Sequence, residues 1–379
     1  MSATDFPAWA LLIVTAWPTA VLLIELIAAQ LPPRPIEANG TPDIAIVIAA
    51  HDEAGGIAAT LAAVRSVAPT GARLLVVADN CGDATAALAR AAGAEVIERQ
   101  DAARHGKGFA LAFARDYLAS DPPAVVIVLD ADCAMAGDGI ARLAAAAQAL
   151  GRPVQSAYLM RPRPDRGALA ALSGFAFLVR NLVRQRGLAR LGAPAVLTGS
   201  GMAFPWTVFA GAPLASGDLV EDLRLGVALA RAGDPPAFLA DVTTCSDPAP
   251  RGAMRAQRSR WEHGFLRSAL RTAPPLIGAG RWPLLWLGLH LTVPPIALLA
   301  TIDLIALLLL AASPLPQAIL AGLVLLLALL MLLSWARFGR QQISARQLLL
   351  VPFYMVWKLP IYMAALLRPE RRWVRTGRD

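Results

Sequence analysis

The chain has 379 residues, of which 56% are hydrophobic and only 16% are charged. Soluble domains usually contain about 45–50% apolar and about 25% charged residues, so this composition excludes an ordinary soluble protein and indicates a membrane component. The net charge is +8, and almost all basic residues are arginines, with Lys107 and Lys358 as the two lysines. Because many arginines flank apolar segments and no nucleic-acid-binding motif is present, we expect membrane lipid, and no nucleic acid, as the partner of this charge.

The first predicted element is an N-terminal transmembrane anchor within residues 1–35. An apolar run covers residues 8–31 and is interrupted by Pro18 and Glu25, and about 20 apolar residues are enough to cross a bilayer as a helix. A secretory signal peptide would begin with a basic segment, whereas the first basic residue here is Arg34, after the run. The pattern predicts an amino terminus outside and Arg34 on the cytoplasmic side.

Residues 41–272 are predicted to form an α/β domain with a doubly wound, mostly parallel sheet. Apolar strand-like segments alternate with helical patterns, as is typical of this fold class. Continuous apolar strands indicate a sheet that is buried on both faces, and such sheets bind ligands beyond the carboxyl ends of their strands. The predicted strands cover residues 44–49, 74–78, 94–98 and 125–129.

Two transmembrane helices are predicted within residues 283–336, near 293–312 and 317–335, on either side of a turn that contains prolines. Arginines follow the second helix, which places that end in the cytoplasm. Residues 345–379 are predicted to form an interfacial helix and a basic tail, because prolines, a lysine and several aromatic residues suit the membrane surface. The chain would thus cross the membrane three times, or four times if residues 348–367 also cross.

The segment V-V-I-V-L-D-A-D-C-A-M, residues 125–135, ends an apolar strand with two carboxylates. Asp130 and Asp132 are two positions apart and point to the same side if the strand continues. Neighbouring carboxylates repel one another unless a cation compensates them, and Mg²⁺ and Mn²⁺ prefer such hard oxygen ligands. The pair predicts a metal site that holds a diphosphate, with a solvated turn as the alternative.

Other segments add polar groups to the same edge of the predicted sheet. The strand within residues 44–53 ends in A-A-H-D-E, and the next strand ends in Asp79. The segment R-H-G-K-G-F-A-L places Lys107 between two glycines at a helix start, where backbone amides and a cation favour phosphate. A solvated loop lysine is the alternative interpretation of Lys107.

Residues 217–226, G-D-L-V-E-D-L-R-L-G, begin another predicted helix. Asp218 and Glu221 match a capping box, which would give Glu221 a structural role. Asp222 lies in the first helical turn, where a carboxylate serves as a general base or simply interacts favourably with the helix dipole.

Residues 257–264, Q-R-S-R-W-E-H-G, place Gln257, Arg260 and Trp261 on one face of a helix. An arginine can neutralise a leaving diphosphate, and a tryptophan offers an apolar platform for a sugar ring. The alternative is an amphipathic helix whose arginine extends to the surface.

The segments D-A-D (130–132), E-D (221–222) and Q-x-x-R-W (257–261), in this order and between membrane segments, resemble the membrane-bound family 2 glycosyltransferases. Relatives include cellulose, hyaluronan and chitin synthases and ceramide glucosyltransferase. The resemblance covers about residues 43–264, and the ordered set is more specific than any one motif. It implies a GT-A fold and an inverting transfer of a sugar from a nucleotide donor, with UDP as the expected nucleotide.

The resemblance also implies roles for individual residues, with Asp222 as the general base that deprotonates the acceptor. The implied catalytic residues are Asp222, Arg260, Gln257 and Trp261. The implied donor and nucleotide site contains Ala49, His51, Glu53, Asp79, Lys107 and Asp130. The implied metal ligand for Mg²⁺ or Mn²⁺ is Asp132, supported by Asp130. The implied acceptor site is lined by Gly199, Ser200, Gly201 and Glu221.

The small number of predicted spans departs from the processive synthases, which secrete a polymer through a channel of many helices. Three or four spans make a poor polar channel, because every group facing its interior must be satisfied away from lipid. We therefore expect transfer of one sugar to a lipid-linked acceptor at the cytoplasmic face of a bacterial inner membrane, in exopolysaccharide or glycolipid biosynthesis. Other polysaccharide-assembly proteins are the expected protein partners, and three widely spaced cysteines fit a reducing compartment.

Two alternative functions are compatible with the same sequence. One is a processive polysaccharide synthase that works with partner subunits. The other, from a different class, is a membrane protein that binds nucleotide without catalysis. A dinucleotide-dependent dehydrogenase is disfavoured because no G-x-G-x-x-G follows the first predicted strand.

Overall fold

The computed structural model describes residues 6–218, 220–248 and 251–367, with side chains for all of them except 251–261 and 365–367. Contacts divide the chain into two units. The sheet unit comprises Arg34–Arg161 and Pro194–Asp247, and the helical unit comprises Met1–Pro33, Pro162–Ala193 and Pro248–Asp379. Residues 162–193 therefore belong to the helical unit, although they lie in the middle of the range predicted for the α/β domain. The other predicted domain boundaries stay predictions.

The described residues form eight strands and fifteen α-helices, with short 3₁₀ or π segments at Pro164–Arg166, Val179–Val183 and Trp335–Gly339. The strands are β1 Ile44–Ala50, β2 Arg73–Asp79, β3 Glu95–Arg99, β4 Val125–Asp130, β5 Cys133–Met135, β6 Val154–Met160, β7 Met202–Pro205 and β8 Ala237–Ser246. The helices are α1 Phe6–Ala29, α2 Ile57–Val67, α3 Thr85–Ala91, α4 Lys107–Leu118, α5 Gly139–Leu150, α6 Ala168–Leu178, α7 Arg184–Leu191, α8 Trp206–Gly211, α9 Glu221–Ala232, α10 Arg251–Ile277, α11 Trp282–Thr292, α12 Ile296–Leu309, α13 Pro314–Ser334, α14 Ala345–Leu348 and α15 Val351–Leu367.

All eight strands belong to one sheet in the order β3-β2-β1-β4-β7-β6-β8-β5. Strands β3, β2, β1 and β4 are mutually parallel. Strand β7 runs antiparallel to both of its neighbours, β4 and β6, whereas β6 and β8 are parallel. The predicted α/β class with a mostly parallel sheet is confirmed, and the four predicted strands are β1 to β4.

The sheet is buried on both faces because successive side chains of its central strands point to opposite sides. In β1, Ile44, Ile46 and Ile48 belong to one apolar core, and Ala45 and Val47 belong to the core on the other face. All five are at most 2% exposed. A strand of this kind must be apolar throughout, which explains its continuous run of apolar residues.

The helical unit contains two described helices that are long and apolar enough to cross a membrane, Phe6–Ala29 and Pro314–Gly339. A third span is formed only if the pair Trp282–Thr292 and Ile296–Leu309, bent by 68°, counts as one. The predicted single helix over residues 293–312 therefore differs from the structure. Its middle part is the 14-residue helix α12, which begins after two prolines whose missing amide hydrogens break the helix.

A buried polar network joins three helices of this unit. Arg184 Nε of α7 donates to Glu25 Oε2 of α1 at 2.6 Å, and His290 Nδ1 of α11 lies 2.8 Å from Glu25 Oε1. The three side chains are at most 5% exposed. A charged residue within an apolar helix is tolerated when it is paired in this way, so Glu25 does not prevent α1 from crossing a membrane.

Candidate active site

The carboxyl ends of three neighbouring strands bring predicted site residues to one edge of the sheet. Asp130, the last residue of β4, is in register with Ala49 of β1. Ala49 is in turn in register with Val77, two residues before Asp79 at the end of β2. This is the edge at which ligands bind in sheets of this type.

Lys107 is the central cation of the site. It is the first residue of α4, and its ammonium forms an ion pair with Asp130 and donates to the Gly199 carbonyl at 2.5 Å. The backbone amide of Asp130 donates to Ser200 Oγ at 3.0 Å. Two of the glycine-rich residues predicted to line the acceptor site therefore contact the predicted donor-binding residues.

The charge of Lys107 is maintained by its neighbours. Burial alone would lower the pKa of the Lys107 ammonium, but the Asp130 carboxylate and, more weakly, Glu221 outweigh burial and raise that pKa. The side chain is therefore a permanent cation at neutral pH. A solvated loop lysine, the alternative interpretation of the sequence, does not describe this residue, because its side chain is only 18% exposed.

The two aspartates of D-A-D converge on a possible metal position. Asp130, Asp132 and Cys133 each offer a ligand atom within 4.8 Å of the others. Burial and, next, the two carboxylates raise the pKa of the Cys133 thiol well above its usual range. Hard cations prefer oxygen to sulfur, so the two aspartates rather than the thiol are the expected ligands. Two carboxylates are what Mg²⁺ usually takes from a protein, with water and phosphate completing its shell, so the donor set fits Mg²⁺ or Mn²⁺.

The E-D pair also lies near Lys107. A Cβ atom built on Gly199 would lie 3.4 Å from Asp222 Oδ2 and 3.8 Å from Lys107 Nζ, so all three residues meet. Gly199 has a φ of +86°, a conformation that favours glycine. A small cavity is lined by Lys107, Gly108, Leu111, Gly199, Met202, Leu214, Glu221, Asp222 and Leu225.

Glu221 is a half-buried acid and not part of a capping box, so the predicted box is wrong. Helix α9 begins at Glu221 with Val220 as its N-cap, which puts Asp218 too far ahead of the helix to cap it, and Asp218 pairs with Arg224 instead. Burial and the adjacent Asp222 raise the pKa of Glu221 to about 7, against the opposing effect of Lys107.

Gly201 is enclosed by a hydroxyl pair beneath the glycine-rich segment. Ser156 Oγ donates to the Gly201 carbonyl at 2.9 Å and lies 2.7 Å from Thr244 Oγ1. A Cβ atom on Gly201 would overlap both hydroxyls, and its φ of +68° also favours glycine. The sequence did not predict that these hydroxyls lie at the site, because they belong to β6 and β8, two strands that the sequence pattern did not predict.

The predicted nucleotide residues lie at the β1 and β2 ends of the same edge. His51 Nδ1 donates to the Asp79 carbonyl at 2.8 Å, and the Glu53 amide donates to Thr85 Oγ1 at 2.7 Å. The Asp79 carboxylate accepts from Arg99 at 2.6 Å, with both side chains at most 10% exposed. Arg99 ends β3 at the same edge but was not predicted from the sequence, because the prediction rested on the acids at strand ends.

The remaining predicted catalytic residues belong to the helical unit. Gln257, Arg260 and Trp261 lie within α10, but their side chains are outside the described residues. The sheet unit therefore brings together Lys107, Asp130, Asp132, Gly199, Ser200, Glu221 and Asp222. The roles assigned to individual residues stay predictions.

Sequence comparison identifies the class of enzyme to which this site belongs. The model of the glycosyltransferase like family 2 matches residues 42–264, which is more than half of the chain. The chain belongs to this family. The predicted recognition as a family 2 glycosyltransferase is thereby confirmed, and the matched range includes the D-A-D, E-D and Q-x-x-R-W segments. A comparison with curated proteins gave no match.

A solved glycosyltransferase structure shares the fold over nearly the whole chain, and two others are similar over part of it. The mannosyltransferase PcManGT from Pyrobaculum calidifontis, in complex with GDP-Man and Mn²⁺, is 18% identical, with a TM-score of 0.61 over 96% of this chain and 99% of that one. Glucosyl-3-phosphoglycerate synthase from Mycobacterium tuberculosis, with Mn²⁺, UDP and glucosyl-3-phosphoglycerate, is 22% identical over 60% and 79% of the chains, with a TM-score of 0.40. Mannosyl-3-phosphoglycerate synthase from Rubrobacter xylanophilus is 20% identical over 61% and 74%, also with a TM-score of 0.40.

Proposed function

We propose that this glycosyltransferase is inverting and metal-dependent, and that it moves a sugar from a nucleotide donor to a membrane lipid-linked acceptor. The observation that carries the proposal is the meeting of Lys107, Asp130 and Asp222 around Gly199. In a family 2 chain, a fixed cation beside a metal-ligating acid suits departure of a diphosphate, and a separate carboxylate suits deprotonation of a hydroxyl.

The reaction follows from the chemistry of these groups. Asp132 and Asp130 would hold Mg²⁺ or Mn²⁺, which supplies positive charge to the diphosphate. Lys107 would bind the same phosphates. Asp222 would take the proton of the acceptor hydroxyl while its oxygen bonds to the anomeric carbon. The bond from that carbon to the diphosphate breaks, the nucleoside diphosphate leaves, and attack from the opposite face inverts the configuration.

Gln257, Arg260 and Trp261 complete the proposed catalytic set. Arg260 would stabilise the leaving diphosphate, and Gln257 and Trp261 would shape the acceptor site together with Glu221 and the 199–201 segment. Ala49, His51, Glu53 and Asp79 would line the nucleotide. These roles rest on the family's motifs and on the place of the sheet-unit residues at one edge.

A lipid-linked acceptor is supported by the two apolar helices Phe6–Ala29 and Pro314–Gly339. A chain held in a membrane meets its acceptor most readily if the acceptor is held there too. We place the catalytic domain, residues 41–272, at the cytoplasmic face of a bacterial inner membrane, because nucleotide sugars are made in the cytoplasm. The product would enter exopolysaccharide or glycolipid biosynthesis, alongside other assembly proteins.

The test is transfer of radiolabelled sugar by the detergent-purified chain in the presence of a bacterial lipid extract. The donor panel comprises UDP-sugars and GDP-mannose, with Mg²⁺ or Mn²⁺, and we expect label in organic-extractable lipid that is lost on addition of EDTA. Label in high-molecular-weight polymer would instead indicate a processive synthase. Donor binding without any transfer would indicate a non-catalytic nucleotide-binding protein.

A further inference from the structure

A buried ion pair joins the helix that carries the Q-R-S-R-W segment to the last described helix. Lys358 Nζ of α15 donates to Glu262 Oε1 of α10, although the two residues are 96 positions apart. Their side chains are 5% and 10% exposed. Lys358 is one of two lysines among 35 basic residues, and the other lysine, Lys107, pairs with Asp130 in the candidate active site.

Aromatic rings and a second polar contact surround the Lys358 ammonium. Tyr354 and Tyr362 precede and follow Lys358 by four residues, so the three share one face of α15. Their ring centroids lie 5.4 and 5.8 Å from Nζ, within range of a cation–π attraction. On α10, His263 Nε2 donates to the Ile361 carbonyl at 3.0 Å.

These contacts determine how α10 lies against α15. A buried charge is stable only while its partner is in place, and the His263 hydrogen bond attaches α10 at a second point. A helix advances by about 1.5 Å and turns by about 100° for each residue, so a slip of one residue would separate Lys358 from Glu262. The ion pair therefore specifies both the rotation and the height of α10.

We propose that Lys358 is a positioning residue for sugar transfer, acting through Glu262 to hold the 257–261 segment in place. Glu262 directly follows this segment in the same helix, so any rotation of α10 moves the segment with it. The proposal rests on the proposed function, in which Gln257, Arg260 and Trp261 serve the leaving group and the acceptor. A buried ion pair is weak evidence for a purely stabilising role, because well-packed apolar residues often stabilise such a contact as well or better.

The test uses the full, detergent-purified chain and compares Lys358→Met with the charge-swapped double variant Glu262→Lys/Lys358→Glu. We expect Lys358→Met to lower kcat about 10- to 100-fold, as small displacements of catalytic groups do. The donor KM should change less than about twofold, because Arg260 is proposed to act on the charge that develops as the diphosphate leaves. The swap restores the ion pair but places a carboxylate beside the Tyr354 and Tyr362 rings, so it should recover kcat in part, to at least about threefold above that of Lys358→Met.

Hydrogen exchange supplies a readout that is independent of activity. Backbone amides of residues 251–277 should exchange faster in Lys358→Met and regain their protection in the swapped variant. Arg267→Met is the matched control, because it removes a cation from an exposed position of the same helix, and it should change neither kcat nor exchange. If Lys358→Met does not fold, Glu262→Gln, which keeps the shape of the side chain, replaces it with the same expectations.

Several outcomes would overturn the proposal. If Lys358→Met has the wild-type kcat, the proposal is wrong, whether or not the variant loses protection from hydrogen exchange. It is also wrong if the swapped variant regains that protection but does not regain kcat. If the wild-type chain transfers no sugar from any donor, the proposed function fails, and exchange alone then decides whether the pair positions α10. Protection that is lost in Lys358→Met and regained in the swap would support that positioning, whereas unchanged protection would overturn it.

Discussion

The Asp222 carboxylate combines two features at the scale of a single residue. It lies in the first turn of α9, where Oδ1 accepts from the Leu223 amide at 2.8 Å, and its Oδ2 faces Gly199 beside Lys107. The first feature alone would fit a residue that merely stabilises the helix start. The second places a carboxylate in the cavity next to a fixed cation, which is where the proposed general base is needed.

Asp222→Asn should therefore bind the donor like the wild type and lose transfer. The amide keeps the shape of the side chain but cannot accept the proton, so we expect transfer to fall by ~10²–10⁴-fold. Turnover of labelled donor and equilibrium binding of the same donor are the two measurements. Asp218→Asn, at an exposed acid four residues earlier, is the matched control and should transfer at the wild-type rate. Full transfer by the Asp222 variant would falsify the assignment.

Glu221 should make the stability of the folded chain depend on pH. Because its pKa is raised to about 7, the folded chain retains between pH 4.5 and 7 a proton that the unfolded chain releases. The folded state therefore loses stability as the pH rises through this window. Below the window the carboxyl is protonated in both states, so it makes no difference there.

Glu221→Gln should remove this dependence, because the amide does not ionise. Relative to wild type, we expect the variant to gain ~1–3 kcal/mol in free energy of unfolding between pH 4 and pH 8, since each pH unit between the two pKa values is worth about 1.4 kcal/mol. Thermal unfolding across this pH range measures it. Glu37→Gln, at an exposed site of the same unit, is the control. Parallel curves for Glu221→Gln and wild type would contradict the prediction.

At the scale of elements, the contact between α1 and α7 depends on a glycine. A Cβ atom on Gly187 of α7 would lie 3.0 Å from the Glu25 Cα and closer still to its carbonyl. The close approach also allows Arg184, one turn earlier on α7, to reach Glu25. The backbone contact at Gly187 and the buried Arg184–Glu25 ion pair therefore both hold α7 against α1 at the same crossing.

Gly187→Ala should destabilise the chain by roughly 1–3 kcal/mol, because backbone atoms of α1 must move to admit the methyl group. The matched control is Gly322→Ala in α13, where an added Cβ meets no atom within 4 Å. That variant should be neutral or gain about 0.5–1 kcal/mol from the higher helix propensity of alanine. Thermal unfolding in detergent compares the two, and equal effects at both positions would argue against the close crossing.

At the scale of the whole molecule, apolar helices and a basic charge balance point to the same environment. The two described helices that could cross a membrane are separated in sequence by the sheet unit. Integral attachment through them should survive treatments that remove electrostatically bound proteins. A protein held to lipid only by its arginines would be released by salt, because salt screens such attraction.

We therefore expect the chain to remain in the membrane pellet after washing with high salt and then with alkaline carbonate. Extraction should require detergent. Quantitative immunoblotting of pellet and supernatant measures this. Release by salt would indicate electrostatic attachment, and release by carbonate alone would indicate a peripheral protein. Either result would argue that the apolar helices do not cross the membrane.

Local sequence patterns were enough to predict the fold class and the family, and they predicted candidate site residues at one edge of the sheet. Strand periodicity and helix patterns are local properties, so β1 to β4 could be predicted to within one or two residues at each end. The D-A-D, E-D and Q-x-x-R-W segments are local as well, and the family match covers all three. The acids at strand ends were informative because parallel strands carry their carboxyl ends to one edge.

Which side chains meet becomes visible in the three-dimensional fold. The pairing of Lys107 with Asp130, the Ser156 and Thr244 hydroxyls around Gly201, and the Lys358–Glu262 pair join residues 23 to 96 positions apart. No local pattern encodes such partners, because they depend on how strands order in the sheet and how helices pack. The predicted capping box at Asp218 is wrong because α9 begins at Glu221 with Val220 as its N-cap, a start that the spacing of the acids does not reveal.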